Sequence, residues 1–230
     1  MLLEEAVPWG RLASEYINMF ALTPQDMHGR ILDCAGGPSS FNCELSGQGR
    51  RIVSVDPLYG YSARQVQERI DATYATMLAL NEANKDNFRW DEFRSPQQLG
   101  QMRMRAMRLF LEDLEAGKSV GRYIAGALPQ LPFDSETFDM ALCSHFLFTY
   151  SDLYDTDFHV KSIIEMTRVA TEVRIFPLLT AFAGELSPHL SIVMEHLREH
   201  GYAVEVSRVT YEFQNGGNRM LSVRKIQTDN

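Results

Sequence analysis

Ile31-Leu32-Asp33-Cys34-Ala35-Gly36-Gly37-Pro38-Ser39-Ser40, continuing through FNCELSGQGR to Arg51-Ile52-Val53-Ser54-Val55-Asp56, is the stretch from which the fold can be read. Ile31 to Cys34 is a short apolar run carrying an acid, and Arg51 to Asp56 is a second that ends in one. The turn Ala35 to Ser39 is built of small residues, Ser39 or Ser40 can cap a helix, and Gly47 can stop it. Strand, small-residue turn, helix, acid-terminated strand is a βαβ unit of the kind that seats a nucleotide. Small residues let a ligand approach the backbone at the helix start, and the acid can accept hydrogen bonds from ribose hydroxyls. The turn is neither GxGxxG nor GxxxxGK[ST], so its placement between strand and helix carries the reading.

Upstream, Leu12, Tyr16, Met19 and Phe20 recur at helical spacing, which predicts a short helix before the first strand. Trp9 and Arg11 stand just before it, where a segment can fold over a ligand or pack on the sheet edge. Downstream, the interval from Asp56 to the next strand-like run at Arg122 far exceeds the roughly 10 to 12 residues of a βαβ crossover, so positions 59–119 read as an insert. Val66, Ile70, Tyr74 and Met77 mark one helix of it; Leu99, Met102, Ala106, Phe110 and Leu114 mark a second, with Gly117 as its stop, and the loop between carries Trp90 and Phe93. Arg103 falls inside the apolar stripe of the second helix. A buried guanidinium needs a partner, either an internal carboxylate or an anionic group on a ligand.

The remaining chain alternates in the same way. Strands are predicted at Arg122 to Ala127, Phe138 to Ser144, Glu172 to Phe176 (stopped by Pro177), Ala203 to Phe213 and Met220 to Ile226, with helices at about 157–170 and 187–200 and a turn at Asn215-Gly216-Gly217. An alternating chain that ends on a hairpin implies an α/β fold: a seven-stranded, mainly parallel Rossmann-like sheet with one antiparallel C-terminal strand, helices on both faces, and one domain over 1–230.

The bulk numbers narrow the chemistry. Twenty-two basic against thirty acidic side chains give a net charge of −8, which opposes attraction to nucleic acid. Glu4 and Glu5 stand where a leader peptide wants positive charge, and no apolar run nears the roughly 20 residues of a membrane span, so a cytoplasmic protein without membrane partners is expected. Cys34, Cys43 and Cys143 lack CxxC spacing and read as packed thiols. His196-Leu197-Arg198-Glu199-His200 matches the HxxEH pattern of some zinc peptidases, but it falls on a last helical turn just before Gly201, where histidine suits the helix dipole. His145, Asp152, Asp155, Asp157 and His159 form a second group able to hold a cation, although acidic loops are usually solvated. No metal is therefore assigned.

Taken together, Ile31 to Gly37, Val53-Ser54-Val55-Asp56, Leu131-Pro132-Phe133 leading into Phe138-Asp139, and the reversed final strand resemble the motifs of class I S-adenosylmethionine-dependent methyltransferases over most of the chain outside the insert. The resemblance implies S-adenosylmethionine as cofactor, with Asp33, Ala35, Gly36 and Gly37 around its methionine part and Asp56 on its ribose. Leu58, Ala127 and Leu128 would edge the adenine, and Cys143, Ser144 and His145 would lie beneath the methyl group. Ala35 and Ser39 replace glycines usual in that family, which asks for a backbone without positive φ at Ala35. Ala127 stands where many members carry an acid. His145 is the candidate general base, should the acceptor lose a proton. Arg103, Tyr150, Gln214 and Asn218 are the candidate substrate contacts, with Tyr154 and the insert as further walls, and the acceptor is expected to be a small molecule. A catalytically inactive nucleotide-binding domain and an NAD-dependent oxidoreductase are the alternatives; the missing third glycine and the reversed strand weigh against the latter.

Overall fold

The computed structural model describes residues 7–182 and 184–226; Glu4 and Glu5 lie outside them. The chain opens with α1 (Ala13–Met19), β1 (Arg30–Cys34), α2 (Phe41–Ser46) and β2 (Arg51–Val55), reproducing the βαβ unit. Helices α3 (Ala63–Ala83) and α4 (Pro96–Ser119) form the insert. The rest is β3 (Tyr123–Ile124), β4 (Phe138–Ser144), α5 (Thr156–Val169), β5 (Ala170–Phe176), α6 (Leu190–Glu199), β6 (Tyr202–Arg208) and β7 (Arg219–Lys225). The strands make one sheet of order β3-β2-β1-β4-β5-β7-β6. Neighbours from β3 to β5 are parallel, whereas β7 runs antiparallel to both β5 and β6.

The two-residue period of the strands divides the core. Leu32 and Cys34 of β1 with Ala141 and Cys143 of β4 pack against Ile163 and Met166 of α5 and Val193 and Leu197 of α6. Their sequence neighbours Ile31, Met140 and Leu142 pack on the opposite face with Tyr16 and Met19 of α1 and Phe41 and Leu45 of α2. A third cluster joins Val66 and Ile70 of α3 to Met107, Phe110 and Leu114 of α4 and to Tyr59 and Tyr123 beside the sheet edge.

Local chemistry sets the element ends. The Ser62 hydroxyl accepts from the Gln65 N–H in a capping box, Ser95 accepts from Gln98 with Pro96 in the first turn, and Asp155 accepts from Phe158. Strand β3 is much shorter than the predicted Arg122 to Ala127. Its ladder to β2 uses the N–H groups of Ser54 and Asp56; the next in phase, that of Leu58, donates instead to the Asp56 carboxylate at 2.7 Å as the chain turns away at Pro57. Gly117 does not stop α4, which runs on to Ser119. It is instead a point of close approach, where a Cβ would lie 2.4 Å from the Tyr123 ring, and the left-handed Gly121 (φ 74°) follows the helix end. Helix α6 begins later than predicted, after Pro188, with His189 at its N-cap. Strand β6 ends at Arg208, short of Phe213, because residues 213–215 turn to pair with the insert.

That pairing ties the insert to the C-terminal hairpin. Phe88 bridges Gln214 in antiparallel fashion, the Arg89 N–H donates to the Phe213 carbonyl at 2.7 Å, and the Asn215 N–H donates to Asn87 at 2.9 Å. Phe88 stacks on Phe213 at 4.8 Å.

Candidate active site

A cavity of about 430 Å³ opens at the carboxyl ends of β1, β2 and β4, where open α/β sheets bind their ligands. Its floor is the turn Ala35 to Ser39, Asp56 and Ser144 to Phe146. One wall is the segment 7–11, and the insert contributes Met77, Asn81, Phe88 and Arg103. The segment 7–11 is held at both ends: the Val7 N–H donates to the Tyr150 hydroxyl at 3.1 Å, and Gly10 lies so close to the turn that a Cβ would sit 2.1 Å from the Pro38 carbonyl.

Asp56 is pinned beside the turn. Its Oδ2 accepts from the Gly37 N–H at 3.0 Å and its Oδ1 from the Leu58 N–H at 2.7 Å. Burial raises its pKa, against the pull of those two N–H groups. Gly37 has φ 54° and nothing within 4 Å of a Cβ position, so the backbone is bare where it meets the cavity. Leu58, Ala127 and Leu128 line the same end.

Asp33 does not line the cavity. The strand alternation turns it beneath the loop, where it accepts from the Tyr16 hydroxyl at 3.2 Å and the Ser54 hydroxyl at 3.0 Å. A Cβ on Gly36 would fall 2.3 Å from its Oδ2. Burial pushes the Asp33 carboxyl up from 3.8 to about 7, with Ser54 and Tyr16 opposing the shift and Asp56 adding to it. The folded state therefore holds an extra proton between these values. This group's stabilising contribution is complete below about pH 4 and is lost as pH climbs through 7, at up to about 1.4 kcal/mol per pH unit. Asp33→Asn is expected to remove that slope: in urea titrations from pH 5 to 8 the wild type should lose more stability than the variant. Equal slopes would show that Asp33 is not the buried proton carrier.

Two non-glycine residues at the ends of the adjacent central strands take left-handed conformations, Ala35 at φ 52° and His145 at φ 50°. The expectation of negative φ at Ala35 is thus corrected. The Ala35 N–H donates to the Val55 carbonyl at 2.8 Å, and this tight return of the chain sets the angle at a cost of roughly 1–2 kcal/mol. Strain of this kind concentrates at ligand sites. The His145 N–H donates to the Phe176 carbonyl at 2.7 Å, its Nδ1 lies 2.9 Å from the Ser144 hydroxyl, and its ring meets Phe176 edge-on at 5.6 Å. Burial first, then Arg11 and Arg103, hold its pKa well below 6.5, so the imidazole is neutral.

Of the other sequence candidates, Tyr150 and Gln214 line the cavity, with the Gln214 side-chain amide donating to the Thr180 carbonyl at 3.0 Å. Asn218 does not; its amide donates to Glu212 at 2.8 Å within the hairpin. Cys143 faces the core under α5, one position out of phase with the site. All three cysteines are free, and burial pushes the Cys43 and Cys143 thiols up to about 12. Among the described residues no group of three or more His, Cys, Asp or Glu side chains could hold a metal ion, and no helix is long and apolar enough to cross a membrane.

The internal carboxylate that the sequence asked for beside Arg103 is Glu15, a residue that sequence reasoning did not name. Arg103, 1% exposed, donates from one guanidinium N–H to Glu15 at 2.6 Å; Glu15, 2% exposed, also accepts from the Tyr211 hydroxyl at 2.9 Å and from the Leu12 N–H at 3.1 Å. Burial favours neutral forms of both ions. Their mutual attraction prevails, holding Glu15 below the usual carboxylate range and Arg103 above its ordinary value. The signal was present in Glu15, an acid lying among Leu12, Tyr16 and Met19 on the apolar face of α1.

No known family profile matches the chain. It is 32% identical over 224 residues to the uncharacterized protein MJ0045 of Methanocaldococcus jannaschii, a match spanning 97% of this chain and 98% of that protein. Among solved structures, the mitomycin 7-O-methyltransferase MmcR aligns with a TM-score of 0.51 at 13% identity, over 93% of this chain and 53% of that one. Magnesium protoporphyrin IX methyltransferase from Synechocystis PCC 6803, solved with S-adenosylmethionine bound, gives 0.48 at 11% identity over 93% and 77%. The chain belongs to the same family as MJ0045, and its fold is that of the class I S-adenosylmethionine-dependent methyltransferases.

Proposed function

We propose that this protein is an S-adenosylmethionine-dependent methyltransferase acting on a small molecule, with the insert at 59–119 serving as the lid of a single domain. The observation that carries this reading is the Asp56 clamp. Each carboxylate oxygen of Asp56 already accepts one backbone N–H, which fixes its orientation, and each keeps capacity for one more donor. Two adjacent ribose hydroxyls match that pattern. Bare backbone at Gly37 and the apolar edges Leu58, Ala127 and Leu128 suit the rest of a nucleoside.

Bound there, S-adenosylmethionine supplies an activated methyl group. The chain's own tasks are then alignment and exclusion of water, and positioning alone can be worth roughly 7–11 kcal/mol of barrier. Tyr150, His145 and the segment 7–11 surround the acceptor end, while Met77, Phe88 and Arg103 of the insert close over it. Neutral His145 is placed to take a proton from the acceptor. A cavity of this volume lies within the roughly 300–1,000 Å³ of small-molecule sites, and its many aromatic walls favour a compact acceptor over a polymer.

Titration calorimetry with S-adenosylhomocysteine and NAD tests the reading. S-adenosylhomocysteine is expected to bind and to raise the melting midpoint by several degrees at about 100 times its Kd. Binding of NAD alone would overturn it.

A further inference from the structure

Resting on that reading, we infer that the methyl acceptor is a monoanion, a carboxylate on a flat apolar body, seated by Arg11 and Arg103 of the cavity wall. Both arginines line the cavity. Each has a buried Nε–H without a hydrogen-bond partner. Buried donors are almost always satisfied, so two under-satisfied guanidinium groups on residues that line one cavity point to polar contacts that arrive with the ligand.

Charge counting agrees. Glu15 is the only carboxylate among the described residues within ion-pair distance of Arg103, and none stands within that distance of Arg11, whose remaining bond runs from its NH1 to the Trp9 carbonyl at 3.2 Å. Glu15 is itself saturated by Arg103, Tyr211 and Leu12. Glu92, the other acid that senses Arg103, is exposed. Two guanidinium groups facing one carboxylate leave a surplus of one positive charge. A singly charged carboxylate cancels it and fits the planar forks. Burial, reinforced by Arg103, lowers the Arg11 pKa, as befits a cation short of a counter-charge.

The anion also bears on His145. Arg11 and Arg103 both disfavour imidazolium there. A carboxylate between them offsets that repulsion, so the substrate itself makes His145 a competent proton acceptor. In the same cavity Trp9, Phe176, Phe182 and Phe213 supply flat apolar surface for the body of the ligand.

Benzoate and benzamide, equal in shape and different in charge, are the probes. Their binding is measured by calorimetry to the full chain saturated with S-adenosylhomocysteine. Benzoate is expected to bind about tenfold or more tightly than benzamide. Arg11→Gln should abolish that preference while changing the Kd for S-adenosylhomocysteine by less than about twofold; Arg11→Lys, retaining the charge but not the fork, should keep part of it. Equal binding of the two probes to the wild type overturns the inference. So does a tenfold or greater loss of S-adenosylhomocysteine affinity in Arg11→Gln, since the guanidinium would then read the cofactor's own carboxylate. If S-adenosylhomocysteine does not bind the wild type, the methyltransferase reading fails separately, and the benzoate preference, measured without it, still decides the anion site.

Discussion

Asp56→Ala is expected to weaken S-adenosylhomocysteine binding by about 10²- to 10⁴-fold. The variant gives up two hydrogen bonds to a charged acceptor, each worth about 1.5–3 kcal/mol. The unliganded protein should suffer much less. The variant loses the acceptor for the Gly37 and Leu58 N–H groups, but it also sheds a carboxylate whose raised pKa records the cost of burying it. Calorimetric titration of both proteins, with melting curves of each without ligand, separates the two effects. Unchanged affinity in a folded Asp56→Ala protein would remove the ribose from the end of β2 and the proposed cofactor with it. Asp56→Asn should fall between, because its amide keeps only one acceptor oxygen.

The largest stability effect is expected from the ionic centre. Glu15→Leu leaves the Arg103 guanidinium buried without its counter-charge and the Tyr211 hydroxyl without its acceptor. Breaking a buried pair in this way costs about 3–5 kcal/mol, or a fall in Tm of roughly 6–20 °C for a chain of this size. Replacing both ions, Glu15→Leu with Arg103→Met, should recover more than half of the loss, since well-packed apolar pairs often match a buried ion pair in stability. Differential scanning calorimetry on the two variants decides it. A single-variant cost near 1 kcal/mol, the scale of a surface pair, would place Glu15 in contact with water.

How legible each part was in the sequence depended on whether its causes are local. Strands β1, β2, β4 and β5 emerge within a residue or two of their expected limits, because each is an apolar run, and β2 and β5 are stopped by Pro57 and Pro177. Asp56 and Gly37 were legible for the same reason, being set by a strand end and a helix start. Arg103 and Glu15 each lie on an apolar helix face, but their pairing was not legible: Glu15 is 88 positions from Arg103 and Tyr211 is 196 from Glu15. The left-handed turn at Ala35 was hidden because a neighbouring strand's carbonyl imposes it against the residue's own preference. Asn218 was drawn to the site by its place in the hairpin turn and Cys143 by the family resemblance at β4, whereas a side-chain partner and strand phase direct them elsewhere.

The stitching of residues 87–89 to 213–215 carries a temporal consequence. The sheet from β1 to β5 draws on residues 30 to 176, all of which leave the ribosome before the hairpin does. The insert finds its edge partner, and Glu15 its Tyr211 hydroxyl, only once Phe213 and Tyr211 have emerged. The cavity is therefore walled by residues 7–11 and 211–217, segments made far apart in time. Ligand retention thus reports that the hairpin has docked on the insert, in a way that secondary-structure content does not.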